Sequence, residues 1–179
     1  MEIPELPEDI RNILTKNDSP ERLNRHLRIV AFTASNLLAE TENIWNHLKL
    51  DIELVKFGAV THDIGKAICQ AEIYKPGKKH ESLGKQLLIE NGFSVESSRF
   101  AYTHGNWKGQ NILLEDLFVT LADKIWKGKR VFELEERISQ MISNQTKMNY
   151  WEVYQELDSM LDKIGLESQA KLNWQNEVK

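Results

Sequence analysis

AVTHDIGKAI, residues 59–68, sets His62 and Asp63 side by side at the end of an apolar helical run. An imidazole and a carboxylate are both good ligands for a divalent metal, and the carboxylate can bridge two ions. Alone the dipeptide says little, because any chain of this size can contain it by chance. Its surroundings give it weight. Asp51 can cap the helix that leads into it, and Val55, Ala59 and His62 then share one stripe. Helical signals continue on both sides. Pro7-Glu8-Asp9 opens a short helix ending near Asn17. Ser19-Pro20-Glu21 supplies a cap, a first-turn proline and an early acid for a long helix carrying Leu23, His26, Val30, Ala34 and Leu37-Leu38. Downstream lie a polar loop, QAEIYKPGKK, with a turn at Pro76-Gly77, and a helix from Lys79 to Asn91 stopped by Gly92. A shorter helix runs from about Val95 to His104, followed by the loop GNWKGQN. Ile112 to Trp126 is apolar and helical, and amphipathic helices follow around 133–143, 150–164 and 168–177. No alternating strand pattern competes.

The expected fold class is therefore all-α, a single-domain helical bundle. Its expected parts are an N-terminal helical segment (1–18), a core (19–130) and C-terminal helices (131–179) packed on the same domain. At 179 residues and 41% hydrophobic, the chain is long enough for one well-buried core. A net charge of −4 argues against dedicated nucleic-acid or membrane-surface binding. The single cysteine, Cys69, excludes a disulfide framework and a multi-cysteine zinc site. MEIPELPEDI lacks the basic and apolar regions of a signal peptide, and no apolar run has membrane-spanning length. A soluble, cytoplasmic protein is expected.

Polar residues on the apolar faces point to chemistry. His26, His62, Asp63, His80, His104 and Asp123 each fall on or beside an inward stripe, where an unpaired polar group costs on the order of 2–7 kcal/mol. Taken singly, each has a structural reading. His26 or His80 can be a core histidine bonded to a carbonyl, Asp123 can pair with Lys127, and His104 can favour a helix C-terminus. Taken together, one shared metal centre satisfies all six. His47 ends a polar stretch and is expected to be exposed and not a ligand.

The order His26, His62-Asp63, His80, His104, Asp123 resembles the HD-domain metal-dependent phosphohydrolase superfamily, over about residues 20–130. His26, His62-Asp63 and Asp123 match its H…HD…D signature, and the two further histidines match the branch that carries a second metal. HDIGK and HESLG (80–84) resemble pieces of the HD-GYP and dinucleoside-polyphosphate hydrolase branches. No GYP motif is present, so cyclic-di-GMP specificity does not carry over. The resemblance implies a first metal on His26, His62, Asp63 and Asp123, and a second on His80 and His104, with Asp63 bridging. Two divalent transition metals suit this set (Fe, Mn, Ni, Co or Zn, with Mg admissible). It implies hydrolysis of a nucleotide or related small phosphate ester by metal-bound hydroxide; Asp63, and Lys66 by its position one turn after His62, are the candidate catalytic residues.

Lys66 is placed to bind a phosphate oxygen or to sit at a helix end as a surface lysine. Lys124, Lys127, Lys129 and Arg130 can hold a second phosphate or form a solvated helix terminus. Asn106, Trp107 and Lys108, in the loop after His104, are candidate substrate contacts, with packing as the other role for Trp107. Trp45, Trp126, Trp151 and Trp174 read as core or interface residues. Two other functions fit the same ligands: a di-iron HD-domain oxygenase, and a non-catalytic nucleotide-sensing module with a structural metal. The helices after residue 131 offer a surface for a homodimer or another partner.

Overall fold

The computed structural model describes residues 2–177; Met1, Val178 and Lys179, at the ends of the expected 1–18 and 131–179 segments, lie outside them. Among the described residues there are nine α-helices and no strand. They are α1 (Glu8–Lys16), α2 (Glu21–Ile44), α3 (Ile52–Thr61), α4 (Lys79–Glu90), α5 (Phe100–Thr103), α6 (Leu114–Ile125), α7 (Phe132–Thr146), α8 (Tyr150–Gly165) and α9 (Ser168–Asn176). The all-α expectation holds. No helix among them is long and apolar enough to cross a membrane.

The helix ends follow local chemistry, with two departures. Asp51 caps α3, its Oδ1 accepting from the Leu54 amide at 2.9 Å. Gly92 adopts φ +90°, and the Phe93 amide reaches back to the Leu88 carbonyl at 3.1 Å, so α4 ends in a left-handed glycine cap. Ser19, expected as the cap of α2, does not cap it: its hydroxyl is buried without a partner, and the helix starts directly after Pro20. The helix expected over 95–104 is divided into a 3-10 turn, Ser97–Arg99, and the single turn of α5.

Burial follows the stripes. α2 packs on α3, α6, α8 and α9, and α3 packs on α6. Its Ile29, Val30 and Leu37 join the larger apolar cluster, whereas Leu23 and Leu27 join a smaller one with Ile10, Ile64 and Leu88. Each such side chain contributes about 1.5–3 kcal/mol on burial. The candidate ligands fall where the clusters meet. His26 sits between Leu23 and Ile29 on α2, and His62 lies between Ala59 and Ile64.

Close backbone approaches set the spacing. A Cβ on Gly58 would lie 2.7 Å from Phe100 and Val119, which brings α3 hard against α5 and α6. Gly65, in the 3-10 turn Ile64–Ala67, lies against α4: a Cβ there would overlap the His80 carbonyl oxygen and stand 2.6 Å from the Gly84 nitrogen.

Of the four tryptophans expected in the core or an interface, Trp45 and Trp126 are buried and Trp174 is partly buried beneath Arg25 and Arg28. Trp151 lies outside the core, which leaves it the interface role. It is 66% exposed and contacts only its neighbours Tyr150 and Tyr154 among aromatic rings.

Candidate metal centre

The six inward residues converge. His26 Nε2 lies 3.2 Å from His62 Nε2, 3.1 Å from Asp63 Oδ2 and 3.5 Å from Asp123 Oδ1. His80 Nε2 and His104 Nε2 are 3.5 Å apart, and stand 3.2 and 3.3 Å from Asp63 Oδ1. Two groups result, His26 with His62 and Asp123, and Asp63 with His80 and His104. Asp63 turns one oxygen toward each. His47 is exposed and takes no part.

Second hydrogen bonds fix which ring nitrogens face inward. His62 Nδ1 donates to the Ala59 carbonyl at 3.0 Å and His104 Nδ1 to the Phe100 carbonyl at 3.1 Å. His80 Nδ1 donates to Glu72 Oε2 at 2.6 Å. With Nδ1 as the donor, a ring in its neutral form presents the Nε2 lone pair to the cluster. Asp63 Oδ1 is buried and has no hydrogen-bond partner. Lone pairs facing a carboxylate oxygen at 3.2–3.3 Å repel unless positive charge lies between them. A metal ion supplies that charge to both sides at once, so the donor set fits one: imidazole and carboxylate, no thiolate.

The electrostatics register the same demand for positive charge beside the carboxylates. Burial works against the charge on Asp63, but the imidazoles, His62 foremost, outweigh it and hold the carboxyl well below the usual range. Burial likewise opposes the charge on Asp123, and His62, Lys124 and Lys127 overcome it. For His80 burial disfavours the cation, yet Asp63 and then Glu72 prevail and raise its pKa. Glu72 is itself lowered, chiefly by its bond from His80.

Three lysines flank the carboxylates. Lys66 Nζ is 2.6 Å from Asp63 Oδ2, Lys124 Nζ is 2.6 Å from Asp123 Oδ2, and Lys127 Nζ is 3.9 Å from Asp123 Oδ1. All three remain partly open to solvent.

The loop after His104 is held by contacts within the protein. The amide of Asn106, a candidate substrate contact, donates to Glu81 Oε2 at 2.7 Å and to the Tyr102 carbonyl at 3.0 Å. Lys108 pairs with Glu133, and Trp107 is partly buried against the larger cluster with its carbonyl held by Arg137 at 2.6 Å. A surface hollow of about 530 Å³ beside this loop includes none of the six ligands. Arg130 is not available to a phosphate either. Its guanidinium holds Glu135 at 2.9 and 3.1 Å and also binds Asp158 and Asp162, tying the start of α7 to α8.

Sequence reasoning passed over Glu72, Glu81 and Asp116. Glu72 sits in a polar loop, and nothing around it signals that its partner is a ligand eight residues on. Asp116 is wholly buried and accepts from Arg99 Nε (3.1 Å), Thr103 Oγ1 (2.7 Å) and the Leu113 amide (3.0 Å), which fastens α5 and hence His104 to α6.

The HD domain family model matches residues 24–126, more than half of the chain, and spans all six residues. The chain belongs to the HD domain family. Its helices are an HD-domain fold, and membership implies a superfamily of metal-dependent phosphohydrolase type. Comparisons with curated proteins and with solved structures return no match.

Proposed function

We propose that this HD domain is a metal-dependent phosphohydrolase acting on a nucleotide or a related small phosphate ester. The observation that carries the reading is the unpartnered Asp63 Oδ1 between two ring nitrogens, with Oδ2 turned to the other histidine pair. His26, His62, Asp63 and Asp123 would hold one divalent metal, and His80 and His104 a second, with Asp63 shared. Such ions supply Lewis acidity and lower the pKa of a bound water toward neutrality.

The chain's own residues account for the substrate class. Lys66, Lys124 and Lys127 bring three ammonium groups to the rim of the carboxylates, where a phosphate dianion gains charge-assisted hydrogen bonds. Beneath that rim Asp63, His62, His80 and His104 are buried, which keeps bulk solvent from the proposed metal positions. The lysine rim supports a substrate that carries a phosphate dianion.

The test is elemental analysis of the purified protein, followed by a phosphate-ester panel with Mn, Ni, Fe and Mg. The expected result is about two metals per chain and metal-stimulated turnover of a nucleotide. Asp63→Ala is expected to abolish turnover while the helical circular dichroism is kept. Absence of metal-stimulated hydrolysis of every ester overturns the proposal, and strict dependence on iron and dioxygen replaces it with oxygenase chemistry.

A further inference from the structure

His80 differs from the other ligands in how its ring is held. His62 and His104 each hand their Nδ1 proton to a backbone carbonyl one turn earlier, Ala59 and Phe100. That partner comes with the helix. His80 is the second residue of α4, so no preceding helical turn offers it a carbonyl. The partner comes from the preceding loop instead, and it is a full carboxylate.

Glu72 is built into that position. Oε2 accepts from His80 Nδ1 at 2.6 Å and from the His80 amide at 3.1 Å, while Oε1 accepts from the Lys79 amide at 3.2 Å. Lys78, at the N-cap position of α4, gives no side-chain cap, so Glu72 satisfies the orphan amides of the helix that carries the ligand. Gly77 leaves the room: a Cβ there would overlap the Glu72 carboxylate. The turn at Pro76-Gly77 thus brings the chain back over Glu72.

We infer that Glu72 is a positioning residue that makes the metal position on Asp63, His80 and His104 selectively dependent on the loop before α4. The inference rests on the two-metal reading above. A carboxylate on Nδ1–H fixes the tautomer, aims Nε2 at Asp63 Oδ1 and makes the ring a stronger donor than a carbonyl partner does. The position on His26, His62 and Asp123 has no contact with Glu72 and does not depend on it.

The experiment is Mn²⁺ binding by equilibrium dialysis and electron paramagnetic resonance, on the full chain and on Glu72→Gln. The wild type is expected to bind two Mn²⁺ with a spin-coupled signal. Glu72→Gln keeps an oxygen for the α4 amides but loses the charge. It is expected to weaken one Mn²⁺ by about 10–100-fold, leave the other in place and convert the signal to that of an isolated ion. Its metal-free melting temperature should stay near that of the wild type. Equal binding of both ions by wild type and variant overturns the inference, as does equal loss of both. A readout free of the variant is the ¹⁵N spectrum of wild-type His80, where a protonated Nδ1 in a carboxylate hydrogen bond is expected and an unprotonated Nδ1 overturns the inference. A wild type that binds fewer than two Mn²⁺ counts against the two-metal reading, and the His80 spectrum still judges Glu72.

Discussion

Gly65 lies so close to His80 that a single methyl group on its Cα would overlap the His80 carbonyl oxygen. The glycine of HDIGK and the histidine of HESLG are therefore in backbone contact, and that contact sets the distance from Asp63 to His80.

Gly65→Ala tests this directly. Backbone on both sides cannot yield as a flexible side chain does, so the cost is expected to exceed about 1–3 kcal/mol, the usual range for overpacking. The displacement of α4 should also strip metal from the His80 half of the centre. Thermal melting with metal content per chain checks both effects. Wild-type values for both would show that α4 has room to move.

Metal affinity should depend steeply on pH. His80 must be deprotonated at Nε2 to bind a metal, and its carboxylate neighbours raise its pKa above 6.5 despite burial. Protons therefore compete from a higher pH than for an ordinary histidine, and affinity should already fall as pH drops toward 6.5. Calorimetric titrations in buffers of different ionisation enthalpy should register proton release on binding.

Asp116→Ala should destabilise the fold by about 3–5 kcal/mol, since it leaves Arg99, with a side chain only 17% exposed, without its carboxylate. Thr103 Oγ1 and the Leu113 amide lose an acceptor in the same step. Urea denaturation measures the loss. A change below 1 kcal/mol would mean that Arg99 turns out to solvent at little cost.

Lys171→Met should stabilise the protein. The lysine is fully buried, donates to the Ile164 carbonyl at 3.3 Å and pairs at 3.3 Å with Glu167, which is itself half exposed. Burial lowers its pKa and Glu167 only partly compensates. The expected gain is about 1 kcal/mol at neutral pH, the low end for replacing a buried pair. Both folded and unfolded chains carry the charge below the lowered folded pKa, so the full penalty acts there. As pH rises between that value and the unfolded value of 10.5, the folded state releases its proton first and the penalty fades. The advantage of the methionine variant should therefore shrink toward pH 10 in thermal melts.

The helices were legible because their apolar stripes are local: Leu23 to Leu38 and Val55 to His62 repeat at a period the backbone enforces. The six clustered histidines and aspartates were legible because such residues on apolar stripes have few stable alternatives to a shared partner. Other roles were not. Glu72 and Asn106 are ordinary polar loop residues until α4 and Glu81 are set beside them. Arg130 read as a terminal cation because Glu135, Asp158 and Asp162 lie five to thirty-two residues away along the chain. Trp151 read as a core or interface residue, and only the packing of α8 sets it outside the core.

Residue type and periodicity were enough to name the residues that cluster and the helices that carry them. The family resemblance implied how those residues divide, and packing alone decided which Asp63 oxygen faces which group, Oδ2 to His26 and Oδ1 to His80 and His104. Spacing along the chain sets a side chain's face on its own helix. The distance between helices is set by what their surfaces allow, here the bare backbone of Gly65 and Gly84 and the absent Cβ of Gly58.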